Sequence, residues 1–451
     1  MTPEQLKAAA YYHCRGSLLH FVMGSMRDYV VSDFNRKLCA ALQQFWDDVK
    51  CGRSPRLAIF APPRHGKSFV VSERFPAWIL GNDPSRKIVD ASYGADLAEL
   101  CTRAANQLIK SDFYAKVFNP LSLVVDRSHD FETAEKGGYY GVGVGGGLTG
   151  RGADVLIIDD PIKSWQDALS KAKRDAIWMW YATVAYTRLL PSAGVLLMHT
   201  RWHKDDLAGR ILEKGGWQVL TFPAIDDAGN ALDPVRYPLD ALRDIESTIG
   251  STAWRALYQQ QPSDTDGAII ERGDIQAYDT PPPKSGIWCI SVDATFKATD
   301  TSDYVSIQAW QEREKSYYCH DNDTRRMGFG DTLTAIDAMM RRYEDVRPTL
   351  VIEDKANGSA IIDTLRKKYS RIYPVDPQGG KVSRAMAIQP IAEGHRIYIM
   401  HKASWADSML GEIADFPTGK HDDQVDAMTQ AITYLEQHNM PAVQMGNLNF
   451  L

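Results

Sequence analysis

The sequence predicts an α/β chain of two units, the first built on a parallel sheet and the second on a mixed one. Three observations point there: short apolar runs alternate with helix-spaced segments from residue 56 to about 225, a polar and proline-bearing stretch breaks that pattern, and a new set of strands starts after residue 284. A chain of 451 residues also exceeds what one hydrophobic core usually supports.

In the first unit, residues 57–61, 87–91, 155–158, 195–198 and 219–222 are near-continuous apolar runs. Runs of this kind, separated by helices, indicate parallel strands covered on both faces. Residues 95–109 carry Leu97, Leu100, Cys101, Ala104 and Leu108 at helical spacing, a stripe expected to face the core. The polar stretch 259–267 and Pro281, Pro282 and Pro283 mark a linker. In the second unit, strands are expected at 287–292, 304–310 and 350–353, with helices after Gly358 and Asp422. The resulting division is 1–240 with an N-terminal helical segment, a linker at 241–283, a second domain at 284–440 and a flexible tail at 441–451.

Composition excludes little beyond this. No apolar run approaches the roughly 18–20 residues a membrane span needs, and residues 1–10 lack the order of a secretory signal, so no membrane and a cytoplasmic site are expected. Six scattered cysteines without a C-x-x-C pair are expected to be reduced thiols. A net charge of -6 leaves the partner open, because a DNA groove needs a local basic stripe rather than a basic average.

The strongest motif is Ala61-Pro62-Pro63-Arg64-His65-Gly66-Lys67-Ser68, between a strand and an amphipathic helix. In that setting backbone N–H groups of residues such as Arg64, His65 and Gly66 hold phosphate oxygens, Lys67 adds a point charge and Ser68 a Mg²⁺ ligand. Its partner is the apolar strand 155–158 ending in Asp159-Asp160. Two acids beside a buried strand are costly without a task; Asp159 is expected to hold Mg²⁺ through water and Asp160 to polarise an attacking water, which makes ATP hydrolysis the reading. The strand 195–198 runs into His199-Thr200-Arg201, where Thr200 is placed to sense a γ-phosphate. Arg151, whose glycine-rich approach 141–150 is expected to be a mobile loop, stands ahead of Arg64 as an arginine finger. The two G-x-G-x-x-G matches in 141–150 open no helix and are set aside as a dinucleotide signal.

This order of pieces resembles the terminase large subunits, in which a P-R-x-G-K-S loop, an acidic strand end and a polar coupling motif follow one another. The resemblance implies an ASCE-type P-loop ATPase joined to an RNase H/RuvC-like nuclease. On that pattern Asp293, Glu353 and Asp423 are the nuclease acids, with Asp422 as an alternative ligand and Asp426 one helical turn on. Two divalent ions, Mg²⁺ with Mn²⁺ as substitute, would be held about 4 Å apart by these carboxylates. Asp303, Lys355, His421 and the pair Arg325-Arg326, expected in a polar loop, are further positions of interest.

The resemblance also implies double-stranded DNA, a portal protein and a small terminase subunit as partners. It implies a homo-oligomeric ring docked transiently on the procapsid in the host cytoplasm and absent from the mature virion. A helicase or repair ATPase with a fused nuclease, or a catalytically silent second domain, stays open on the residues alone. A GTPase is disfavoured by the lack of an N-K-x-D element, and a transposase by the ATP motor that precedes the acids.

Overall fold

The computed structural model describes residues 2–148, 150–263, 268–294, 304–354, 357–376 and 379–438. The chain divides into two compact units, Met1–Ser247 with Ser251–Asp264, and Thr248–Gly250 with Thr265–Leu451.

In the first unit eight strands, β1 (Arg56–Phe60), β2 (Lys87–Ser92), β3 (Leu123–Asp126), β4 (Asp130–Thr133), β5 (Gly138–Gly143), β6 (Ala153–Asp159), β7 (Leu189–His199) and β8 (Gln218–Thr221), form one sheet in the order β3-β4-β5-β2-β6-β7-β1-β8. From β5 to β8 every pairing is parallel, whereas β3-β4 and β4-β5 are antiparallel. The expected parallel sheet therefore carries an antiparallel edge, joined by short connections that only antiparallel neighbours allow.

Side chains alternate across the sheet with a period of two. Leu57, Ile59, Val155, Ile157, Leu196 and Met198 face a core shared with the N-terminal helices Pro3–Gly16, Leu18–Ser25 and Asp33–Lys50. Ala58, Phe60, Leu156, Ile158, Val195 and Leu197 face a second core on the other side. Burial on both faces is the reason the strands read as unbroken apolar runs.

Two expectations change here. The helix Ala95–Ile109 buries Ala98, Cys101, Thr102 and Ala105, whereas Leu100 is 50% exposed. A Cβ on Gly141 of β5 would stand 2.4 Å from Thr102 Oγ1 and 2.8 Å from the Ala98 carbonyl oxygen. So close an approach selects the small side chains for the sheet and turns Leu100 out to solvent. The stretch 141–150 is not simply a loop either, because Gly141, Val142 and Gly143 are part of β5 and pair with β2.

In the second unit β9 (Gln276–Tyr278), β10 (Ile287–Ala294), β11 (Tyr304–Arg313), β12 (Ser316–Arg326), β13 (Thr349–Glu353), β14 (Ile372–Val375) and β15 (Ile397–Met400) form a mixed sheet, β14-β13-β10-β11-β12-β15-β9. The meander β10-β11-β12 is antiparallel, while β13 and β14 extend it in parallel from β10, and β15 and β9 in parallel from β12. One face is covered by the helices Phe329–Arg342 and Asn357–Leu365 over Ile290, Val292 and Ile307. Over the other runs the helix Asp423–His438, fastened by Ser291 Oγ donating to the Ala427 carbonyl at 2.8 Å and Gln308 Nε2 to the Gln424 carbonyl at 2.9 Å.

The segment 241–283 holds most of the helix Leu239–Ala253, a π turn Trp254–Tyr258 and β9. Arg325 and Arg326, expected in a loop, pair within β12 against Val305 and Tyr304. The tail 441–451 lies outside the described residues, as do Asp303 and Lys355. All six cysteines are free thiols. Among the described residues no helix is long and apolar enough to cross a membrane.

Candidate active sites

The first centre lies where β1, β6 and β7, neighbours in the parallel sheet, end. After β1 the chain passes through left-handed conformations at Arg64 (φ 63°) and Gly66 (φ 77°) before turning helical at Lys67. Glycine is required at 66, since a Cβ there would meet Arg236 Nη1 at 2.8 Å in addition to the positive φ. Arg236 also donates to the His65 carbonyl at 3.2 Å, and the His65 ring stacks on Tyr237 at 4.7 Å, so the loop is braced from residues far along the chain.

Lys67 is buried, and its ammonium donates to both Asp160 oxygens, at 3.0 and 2.7 Å, and to the Thr200 hydroxyl. The Thr200 N–H donates in turn to Asp160 Oδ1 at 2.7 Å. Burial alone would raise the Asp160 carboxyl, but the Lys67 ammonium and His199 hold it well below the usual carboxylate range. Asp159 behaves oppositely: burial and the Asp160 charge push it up to about 6, against Lys67 and hydrogen bonds from Ser68 and Ser72. Ser72 Oγ donates to Asp159 Oδ2 at 2.9 Å, while Asp159 Oδ1 is a buried oxygen without a hydrogen-bond partner. An unsatisfied carboxylate oxygen beside the Ser68 hydroxyl is a donor set that fits a hydrated Mg²⁺.

Behind Thr200, the His199 ring lies fully buried, 3.4 Å from Asp206 and 3.7 Å from Asp160. Burial would lower its pKa, but the two acids outweigh it and raise the imidazole above its usual value. Arg201 Nε donates to the same Asp206 at 3.0 Å. Lys67, Asp159, Asp160 and Thr200 thus converge, whereas the two finger candidates differ. Arg151 is tied to the buried Asp130 by two hydrogen bonds of 3.1 and 2.7 Å and lies over the Tyr140 ring. Arg64 is exposed, and among the described residues no ion pair holds it.

The second centre uses the same kind of strand end. β10, β13 and β14 run parallel side by side, and Asp293, Glu353 and Asp376 stand at or just beyond their carboxyl ends. These three acids line a cavity of about 260 Å³ together with Asp426, Arg384 and Gln430. Gln430 reaches across from the long helix, donating to Ser291 Oγ and to the Val292 and Val351 carbonyls at 2.9–3.2 Å, and so locks that helix to β10 and β13. The Asp423 end of the helix is capped by Glu412, whose Oε1 accepts from Gln424 N–H at 2.6 Å.

Burial, then the charges of Asp426, Asp423 and Glu353, push the Asp293 carboxyl up to about 8, with Lys381 opposing. Asp423 is pushed up to about 6 by burial, Glu412 and Asp422. Asp422 and Asp426 are held by cations: Lys381 Nζ lies 2.6 Å from Asp422 and 2.7 Å from Asp426, and Arg384 Nη2 lies 2.7 Å from Asp426. His421 packs its ring against Tyr304 at 4.7 Å. Among the described residues no three His, Cys, Asp or Glu side chains form a ready-made metal cage. The chemistry of the donors nonetheless fits a divalent ion: they are oxygen-only, and they crowd a buried carboxyl.

Asp376, Lys381 and Arg384 were not singled out from sequence. For Asp376 a signal existed, since it follows an apolar strand as Asp293 and Glu353 do.

Both centres lie within segments that match known proteins. Residues 58–277 match the family model for the terminase large subunit, T4likevirus-type, N-terminal, and residues 290–435 match the model for the terminase RNaseH-like domain. A large terminase subunit from Enterobacteria phage T3 is 22% identical over 235 residues, which is 45% of this chain; the chain spans only 40% of that relative's length. Large terminase structures from a thermophilic bacteriophage share the fold. One has a TM-score of 0.53 at 11% identity over 90% of this chain and all of that one, and another, in complex with ATP-gamma-S, has 0.51 at 13% over 90% and 99%. The chain belongs to the terminase large-subunit family.

Proposed function

We propose that this chain hydrolyses ATP to drive double-stranded DNA into a procapsid and cuts concatemeric DNA at a separate two-metal endonuclease centre. The observation that carries the reading is that one chain holds two independent charge constellations, each at the carboxyl ends of parallel strands, where ligands of α/β sheets bind.

At the first centre the loop 63–66 and Lys67 bind the phosphates, Ser68 and Asp159 hold Mg²⁺, and Asp160 takes hold of the attacking water once the γ-phosphate draws Lys67 away from it. Thr200, bonded to both Lys67 and Asp160, registers that exchange and passes it to His199, Arg201 and Asp206. The large terminase of the thermophilic bacteriophage has been solved with ATP-gamma-S, which supports ATP as the nucleotide. The geometry favours Arg64 over Arg151 as the finger: Arg151 would have to abandon Asp130, whereas Arg64 is presented in the loop itself.

At the second centre Asp293, Glu353 and Asp423 are the proposed acids of the metal site; Asp293 and Glu353 line the cavity together with Asp376 and Asp426, whereas Asp423 is not among its lining residues and Asp422 is held by Lys381. Mg²⁺ is the resident ion and Mn²⁺ a substitute. Divalent ions there supply charge stabilisation to the attacking and leaving oxygens of an in-line displacement. The chain's own part is to fix carboxylates on rigid strand ends and to hold the capping helix over them through Gln430. The motor domain of this reading takes in residues up to 264 apart from 248–250, and the nuclease domain the rest, so that the segment 241–283 is divided between the two. A portal protein, a small terminase subunit, a homo-oligomeric ring and transient docking on the procapsid in the host cytoplasm complete the reading. The test is packaging of DNA into purified empty capsids carrying a portal, with nicking and phosphate release measured on the same preparation. Phosphate release and nicking without any packaging would assign the chain to another DNA motor.

A further inference from the structure

We propose that Lys381 is the resident counter-ion of the acidic cluster and that its ammonium competes with divalent metal for the site, so that the cluster is latched until metal displaces it. This rests on reading the cluster as a metal centre, and it concerns how the chain manages that centre when no ion is bound.

The latch is built from two helices. Lys381 and Arg384 lie one turn apart at the start of the helix Lys381–Glu393, on one face. Asp422 and Asp426 are likewise one turn apart, at the start of the helix Asp423–His438. The two faces meet as a four-charge clamp: Lys381 bridges Asp422 and Asp426, and Arg384 closes on the remaining oxygen of Asp426. The acids are thereby drawn toward the cations of a neighbouring helix instead of toward one common point, which accounts for the lack of a ready-made metal cage among the described residues.

The two cations are not equivalent. The Arg384 side chain is 18% exposed and holds the better-buried Asp426 from the cavity side, so it is the fixed half. The Lys381 side chain is 43% exposed, and a flexible four-carbon stem lets its ammonium leave for water at little cost. A dication placed among Asp293, Glu353 and Asp423 faces the ammonium as a like charge in a partly desolvated site, and relief requires the ammonium to withdraw. By linkage, whatever the ammonium contributes to the metal-free cluster is subtracted from metal affinity. Were Lys381 only a brace that positions the acids for metal, the sign would be reversed.

That sign is the test. Mn²⁺ binding to the full chain is measured by calorimetry for the parent, Lys381→Met and Lys381→Arg, with thermal unfolding in chelator and in Mn²⁺. The latch predicts about tenfold tighter Mn²⁺ binding by Lys381→Met, near-parental binding by Lys381→Arg, and a lower melting temperature for Lys381→Met in chelator that Mn²⁺ restores. Unchanged or weaker Mn²⁺ binding by a folded Lys381→Met overturns the proposal. If Lys381→Met does not fold, Lys381→Gln takes its place under the same criteria. Asp293→Asn separates the two failures: Mn²⁺ binding by that variant at parental strength would remove the metal-centre reading itself, whatever Lys381 does.

Discussion

The two centres set acids at the ends of parallel strands in the same way, yet they solve the problem of buried charge differently. In the first unit the counter-charge belongs to the site: Lys67 neutralises Asp160, and the acid pair is split, one carboxyl held far down and the other pushed up to about 6. In the second unit the nearest cations are spent on Asp422 and Asp426, and Asp293 is left in a crowd of acids with its carboxyl pushed up to about 8. A centre whose charges are already paired must be opened by its ligand, and on the proposed reading the phosphate would do this by competing with Asp160 for Lys67. The second centre has both features, since Asp422 and Asp426 are paired and must be released while Asp293 is unbalanced and would be completed by a divalent ion on the proposed reading. The difference predicts opposite responses to removal of a single charge.

The largest effect should come from Asp293→Asn. Plasmid nicking in Mg²⁺ or Mn²⁺ falls by orders of magnitude while phosphate release stays near the parent value, and the metal-free protein becomes more stable at alkaline pH, because a costly buried acid is gone. Undiminished nicking in well-folded Asp293→Asn, Glu353→Gln and Asp423→Asn variants alike would falsify the assignment of the second centre.

At the first centre the same kind of deletion should harm the fold as well as the activity. Lys67→Ala abolishes phosphate release and packaging, leaves nicking detectable, and costs about 1–3 kcal/mol of stability because Asp160 is left unpaired. Adding Asp160→Asn to Lys67→Ala recovers much of that stability and none of the activity. Chemical denaturation of the single and double variants reads this directly; equal stabilities would mean that Lys67 and Asp160 are not coupled.

The two arginines should separate along the same line. Arg64→Ala lowers phosphate release by about 100-fold with little change in melting temperature. Arg151→Ala, which strips the partner from buried Asp130, loses stability by about 1–3 kcal/mol and retains most of its turnover. The reverse pattern returns the finger to Arg151.

The smallest effect is a pH dependence. An acid whose folded pKa is raised keeps its proton in the native state while the unfolded carboxyl, near its usual value of about 4, has lost it. The native state then binds more protons, so stability falls as pH rises. In chelator, Asp293 should make the second unit lose stability between about pH 4 and 8, with Asp423 contributing at the acid end of that window. Denaturation midpoints taken in chelator at several pH values should slope downward, and Asp293→Asn should flatten the slope.

Much of the first unit was legible because doubly buried parallel strands are unbroken apolar runs, and because the loop at Lys67 and the acids at the end of β6 are each contiguous in sequence. The antiparallel edge β3-β4-β5 was not, since β3 and β4 are only four residues long and β5 is broken up by Gly138, Gly141 and Gly143, so periodicity has too little to act on there. Leu100 misled for a related reason: helical spacing says which residues share a side, and only the close approach at Gly141 says which side meets the sheet. In the second centre Asp293 and Glu353 were visible as strand-end acids. Lys381 and Arg384 were not, because they act from a neighbouring helix with no motif to link them to Asp422 and Asp426.

The turn that follows the phosphate loop is π-helical over Phe69–Arg74, and the Phe75 N–H reaches back to the Val70 carbonyl. Such a turn holds one residue more than an α-helical turn between the same two ends. It is in effect a tolerated insertion, and Ser72, the donor to Asp159, is buried within it. Removing one residue from the turn would let it close to α geometry between the same two ends, so that the flanking segments keep their places and only the residues inside the turn change direction. Ser72 is one of those residues, so its hydroxyl would be turned from Asp159 while the helix persists. The extra residue therefore sets the direction of Ser72 and not the course of the helix: a one-residue deletion should spare the packing on either side and disturb the contact with Asp159.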